Sequence, residues 1–186
     1  MRDPVDAAFA AAPREEFLPP DQRERASYDG PLDIGHGQTS SQPRTVAAML
    51  RLLAVRPGDR VLDVGSGSGW TTVLLAHLTG PAGEVVGVEK VPELVAFGSA
   101  NLARQRLPWA RIVTAEPDVL GVPDHAPYDR VLVSAEARRL PGALVEQLAP
   151  DGRMVLPVSG TMLLVEQRAG EPLVTRHGGY RFVPLV

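Results

Sequence analysis

The nine residues Val61-Leu62-Asp63-Val64-Gly65-Ser66-Gly67-Ser68-Gly69 have types and spacing that imply a ligand site. An apolar run ends in an acid, turns through three alternating glycines and enters a segment of helical spacing at Trp70. Glycine adopts positive φ freely and lets a ligand come close to the backbone. In a doubly wound sheet this first turn lies at the carboxyl edge, where ligands bind. The dinucleotide fingerprint is G-x-G-x-x-G with a pyrophosphate on the following helix. Here the spacing is G-x-G-x-G, and Asp63, two residues before the first glycine, would repel a pyrophosphate. The acid suits a cationic ligand instead.

Glu89 ends the next apolar run, 24 residues after Gly65. An acid at that place accepts hydrogen bonds from ribose hydroxyls. A ligand with an ammonium and a ribose fits S-adenosylmethionine: Asp63 would hold the ammonium directly or through water, and the turn amides would face the carboxylate. A tight turn and a solvated strand end are the bland alternative.

These residues need a sheet to position them, and the flanking pattern supplies one. Arg60–Val64, Glu84–Glu89, Arg111–Thr114, Asp129–Ser134 and Arg153–Val158 read as strands, and Trp70–Leu78, Pro92–Arg106 and Pro141–Leu148 as helices between them. Such alternation predicts an α/β fold: a doubly wound, mostly parallel Rossmann-like sheet with helices on both faces. Met162–Gln167 and Tyr180–Val186 read as two closing strands without an intervening helix, so the C-terminal edge should be antiparallel. Upstream, residues 3–12 form a short helix ended by Pro13, residues 18–43 a long ordered loop, and residues 44–55 a helix. We expect a single domain over residues 1–186, with 1–43 covering a core of 44–186.

From Arg14 onward the chain resembles the protein-L-isoaspartate O-methyltransferases. The segments that carry the likeness are Arg14-x-x-Phe17, Tyr28-Asp29, Ile34-Gly35-His36-Gly37-Gln38-Thr39-Ser40-Ser41-Gln42-Pro43, the glycine loop, Gly87-Val88-Glu89-Lys90, Pro127–Val133 and Phe182-Val183-Pro184-Leu185. The resemblance implies transfer of a methyl group from S-adenosylmethionine, leaving S-adenosylhomocysteine, to the free α-carboxylate of an isoaspartyl residue in a damaged protein or peptide. It places Ser41 and Thr39 at the acceptor. It places Gln38, Ser40, Asp63, Gly65, Ser66, Gly67, Ser68, Gly69, Glu89 and Lys90 around the cofactor. On spacing alone, Thr39–Ser41 also read as turn and cap residues before a helix near Pro43. A Ser/Thr segment without nearby cations suits a carboxylate that must remain nucleophilic.

The family tends to Gly-Asp-Gly after the third strand, its aspartate reaching the adenine. This chain has Glu116-Pro117-Asp118, and Pro117 offers neither carboxylate nor N–H. Either Glu116 or Asp118 substitutes, or one charged hydrogen bond worth roughly 1.5–3 kcal/mol is lost. The departure keeps two other readings open: a carboxyl methyltransferase with a dedicated peptide or small-molecule substrate, and a non-catalytic cofactor-binding module. Net charge is −3, which argues against a nucleic-acid partner. The absence of cysteine excludes disulfides and thiolate metal sites, and the four histidines lack ligand spacing, so no metal is expected. No apolar run approaches the roughly 20 residues of a membrane span. A cytoplasmic monomer is expected.

Overall fold

The computed structural model describes residues 3–185. Helix α1 (Pro4–Ala11) is followed by two 3₁₀ turns, Arg14–Phe17 and Pro20–Arg25, then a hairpin of β1 (Leu32–Gly35) and β2 (Gln38–Ser40). Helix α2 (Pro43–Leu53) leads into the alternation β3 (Arg60–Val64), α3 (Trp70–Thr79), β4 (Glu84–Glu89), α4 (Pro92–Gln105), β5 (Ala110–Thr114), β6 (Tyr128–Val133). A single turn of helix, α5 (Gly142–Val145), precedes β7 (Leu148–Val158), β8 (Thr161–Glu166) and β9 (Leu173–Gly179). The segment 18–43 is therefore more structured than a loop: its Gly35-His36-Gly37 turn, all three residues at positive φ, closes a hairpin.

The main sheet has the order β5-β4-β3-β6-β7-β8-β9. The pairs β5–β4, β4–β3, β3–β6 and β6–β7 are parallel, and β7–β8 and β8–β9 antiparallel. This is the doubly wound, mostly parallel architecture with an antiparallel C-terminal edge. Successive strand residues point to opposite faces, and burial follows. Val61, Val85, Leu132 and Val155 pack under α1, α2 and α3, whereas Leu62, Val86, Val131 and Met154 pack on the other face with Leu144 of α5. Winding from β3 outward to β5 and then back to β6 leaves a crevice beyond the carboxyl ends of the paired strands β3 and β6, where the chain leaves them in opposite directions, the place such sheets bind ligands.

Two sequence expectations shift. The closing strand is Leu173–Gly179, not Tyr180–Val186. As an edge strand exposed along nearly its whole length, it needs no apolar alternation, so Thr175-Arg176-His177 read as a connector. Residues 180–185 instead cross the carboxyl edge beside Glu136, whose N–H donates to the Val183 carbonyl (2.7 Å) and whose carbonyl accepts from Leu185 (2.8 Å); Val186 lies outside the described residues. The predicted helix Pro141–Leu148 is cut to Gly142–Val145 because Leu148 already pairs with Tyr128. Gln147 is buried there and grips the segment after β5, accepting from the Val122 N–H (3.0 Å) and donating to the Leu120 carbonyl (2.8 Å).

Candidate active site

The glycine loop leaves β3 at Val64 and enters α3 at Trp70. Gly65 and Gly67 have φ of 79° and 51°, so the turn depends on backbone that side-chain-bearing residues rarely adopt. The Gly65 and Ser66 amides donate to the Val88 carbonyl (2.9 and 3.2 Å), and the Gly67 amide donates to Glu89 Oε2 (3.0 Å). These three amides are thus committed to the fold and do not face a ligand carboxylate as expected. Gly69 is a packing position: a Cβ there would meet the Gly98 carbonyl oxygen of α4 at 2.9 Å. From α4, buried Asn101 donates to the Ser68 carbonyl (2.8 Å) and fixes the loop from behind.

Asp63 is wholly buried beneath this loop and is absent from the cavity wall. Its Oδ2 accepts from the Thr71 and Thr72 hydroxyls, both at 2.7 Å, while Oδ1 has no partner. Burial pushes its pKa up to about 6, the two threonine hydrogen bonds opposing the shift and the charge of Glu89 adding to it. Asp63 therefore does not present itself to the cavity, whereas Thr71, whose hydroxyl it holds, does line it. Glu89 is nearly buried and serves the fold as well: Oε1 accepts from the Lys90 and Val91 amides at 2.8 and 3.0 Å. With Gly67 on Oε2, three of the roughly four lone-pair sites of a carboxylate are used, leaving one on Oε2 for a ribose hydroxyl.

Above this floor lies a cavity of about 660 Å³. Its wall brings together the Gln38–Ser41 stretch, Gly65–Ser68, Glu89, Lys90 and Glu116–Asp118, with Val183–Leu185 on one side. The hairpin forms the roof: Ile34 Cδ1 sits 3.1 Å from where a Gly67 Cβ would be. Leu32 and Ile34 are held by Leu18 and Leu94 in a separate small core. Thr39 is exposed on the wall, and Lys90 stands exposed at its edge. Ser40 is buried, its hydroxyl accepting from Arg14 Nε (3.1 Å). Arg14, to which the spacing assigned no role, contradicts the expectation of a Ser/Thr segment free of nearby cations. Its Nη2 also donates to the carbonyls of Ser40 and Ser41, each at 2.9 Å. Among the described residues no group of three or more metal-ligating side chains converges.

The family model for protein-L-isoaspartate(D-aspartate) O-methyltransferase matches residues 1–186. The chain belongs to this family. A protein-L-isoaspartate O-methyltransferase of Methanopyrus kandleri is 46% identical over 98% of this chain and 83% of its own length. A solved structure of a protein-L-isoaspartate O-methyltransferase superposes over the whole chain with a TM-score of 0.88 at 26% identity, and this chain spans 62% of that one. A crystal structure from Plasmodium falciparum, described as a protein-L-isoaspartate O-methyltransferase in complex with S-adenosyl-L-homocysteine, gives a TM-score of 0.86 at 29% identity, covering 100% of this chain and 91% of that one. The residues present fit the family's cofactor. Ser66 is buried on the cavity wall with an unpartnered hydroxyl. Buried polar atoms are nearly always paired, so this orphan in the glycine loop marks a place for a polar ligand.

Proposed function

We propose that this chain is an S-adenosylmethionine-dependent enzyme that methylates the free α-carboxylate of isoaspartyl residues in damaged proteins or peptides. The observation that carries the reading is one cavity in which the Gln38–Ser41 stretch faces the glycine loop and Glu89. Relatives named for this activity along nearly the whole chain disfavour a dedicated small substrate or a non-catalytic module.

S-adenosylmethionine, when bound, supplies a methyl group on a positively charged sulfur. Ser66 and Thr71 would meet its amino-acid end, with Asp63 setting the charge behind Thr71, and Glu89 would accept from the ribose. Glu116–Asp118 would border the adenine. The acceptor is a carboxylate, already ionised at neutral pH, so no general base is required. Catalysis then rests mainly on holding the acceptor in line, which is worth several orders of magnitude in rate. Ser41 and Thr39 would donate to one carboxylate oxygen and leave the other free to attack. The hairpin roof, held by Leu32 and Ile34, keeps water from the reacting atoms. We take the domain to be residues 1–186, working as a cytoplasmic monomer. No helix among the described residues is long and apolar enough to cross a membrane.

The test is methyl transfer from labelled S-adenosylmethionine to an isoaspartyl peptide, with its normal aspartyl twin and the Ser41→Ala variant alongside. Transfer to the isoaspartyl peptide alone, reduced about tenfold or more in the variant by loss of an orienting hydrogen bond, is expected. Cofactor binding without transfer to either peptide would overturn the reading.

A further inference from the structure

Arg14 is 6% exposed and forms no salt bridge among the described residues; the charge of Asp29, which is itself paired with Arg44 (2.7 Å), acts on it from beyond salt-bridge distance. Its guanidinium is consumed by the chain around it. Nε donates to Ser40 Oγ, Nη1 to the Tyr28 carbonyl (2.9 Å), and Nη2 to the carbonyls of Gly30, Ser40 and Ser41, all at 2.9 Å. At least four of the five N–H donors an arginine carries are engaged. The remaining one is on Nη1, on the Tyr28 side. The guanidinium also lies over the Trp70 ring, 5.5 Å from its centroid, at the start of α3. One side chain thus ties the 3₁₀ turn Arg14–Phe17, the Tyr28–Gly30 bend, the Ser40–Ser41 backbone and the end of the glycine loop.

We propose that Arg14 is a positioning residue for methyl transfer: it clamps the Ser40–Ser41 backbone so that Ser41 meets the acceptor carboxylate, and its charge, which no salt bridge neutralises, draws that carboxylate in without hydrogen-bonding to it. The proposal rests on the assignment of Ser41 to the acceptor made above. A cation that donated to the carboxylate would bind it tightly and tie up the lone pairs that must attack. Here at least four of the five donors are already spent, on four carbonyls and the Ser40 hydroxyl, and the fifth lies on the Tyr28 side, so the field is what reaches the acceptor, and in a poorly solvated site that field is weakly screened. Burial lowers the pKa of Arg14 to about 10, so it remains a cation at neutral pH.

Three proteins test this: the unaltered chain, Arg14→Lys, which keeps the charge but cannot reach every carbonyl, and Arg14→Gln, which removes the charge. For each, kcat and KM for an isoaspartyl peptide are measured at a temperature where thermal melts show it folded, and affinity for S-adenosylhomocysteine is measured by calorimetry alongside, because Arg14 also holds Ser40 and Trp70 on the cavity wall. Arg14→Lys should lose about tenfold in kcat through the loosened clamp, with KM changed less than about threefold because the charge is kept. Arg14→Gln should lose about 10- to 100-fold in kcat/KM, through a raised KM as well as a lowered kcat. In both variants the loss of kcat should exceed any loss of cofactor affinity. A purely structural role predicts lower melting temperatures in both variants with unchanged kcat and KM, and that result overturns the proposal. If Arg14→Gln does not fold, Arg14→Lys decides: an unchanged kcat overturns the clamp. No transfer by the unaltered chain would instead sink the repair reading itself, and the Arg14 assignment with it.

Discussion

Asp63 combines full burial, two threonine donors on one oxygen and none on the other. Its folded pKa, about 6, lies above the ordinary value of 3.8, chiefly through burial. The folded state therefore holds this proton more tightly than the unfolded chain, and stability from this group falls as pH rises between about 4 and 6. Relative to Asp63→Asn, the unaltered protein should lose on the order of 2–3 kcal/mol between pH 4 and 7, read from urea denaturation of both proteins at each pH. A flat difference would show that Asp63 titrates normally. A second residue-scale question is which acid serves the adenine beside Pro117. Glu116 and Asp118 both line the cavity, and Asp118 is held at a φ of 61°. Calorimetry with S-adenosylhomocysteine on Glu116→Gln and Asp118→Asn should show one variant weakened about tenfold, the loss of a single charged hydrogen bond, and the other near the unaltered value. Two unaltered affinities would mean that neither carboxylate reaches the base.

Among the elements, the contact between α3 and α4 is where the loop is most tightly specified. Gly69→Ala would place a Cβ 2.9 Å from the Gly98 carbonyl oxygen at a φ of 83°. The variant should be about 2–4 kcal/mol less stable from left-handed strain and overpacking together, measured by urea denaturation, even though Gly69 is off the cavity wall. The sequence made the core of this arrangement legible because β3, α3, β4 and α4 carry strong periodicity and end on distinctive residues, Asp63, the glycines and Glu89. It revealed less where partners are distant. Asn101 reads as an ordinary helix residue until α4 is laid on Ser68. Arg14 stands in the sequence only as part of the family-like Arg14-x-x-Phe17 segment, and its role shows once Tyr28, Gly30 and Ser41 fold around it. β9 is not legible in the sequence because an exposed edge strand lacks the alternation that marks a strand. The hairpin reads as a loop because its turn, Gly35-His36-Gly37, dominates a segment whose strands are only four and three residues long.

Across the whole molecule the cavity is assembled from parts far apart in sequence, from Ile34 in the hairpin to Leu185 beside Glu136. A ligand that binds only this assembled form stabilises it by mass action, about 2.7 kcal/mol at a concentration one hundred times its dissociation constant. For a protein of this size that is a rise of about 5–10 °C in melting temperature, which a thermal melt with S-adenosylhomocysteine should show and a melt with adenosine alone at the same concentration should not. The same dispersal bears on kinetics. Contacts of such wide sequence separation form late, after the entropy of closing long loops has been met. No early fragment holds the whole wall: β3 to β5 lacks the Gln38–Ser41 stretch and Val183–Leu185, and the hairpin alone lacks the glycine loop and Glu89. The cofactor therefore finds only part of its site on the way up the folding barrier and all of it at the end. It should leave the refolding rate unchanged and slow unfolding instead, so that in a cell it would protect finished molecules without helping new ones to form.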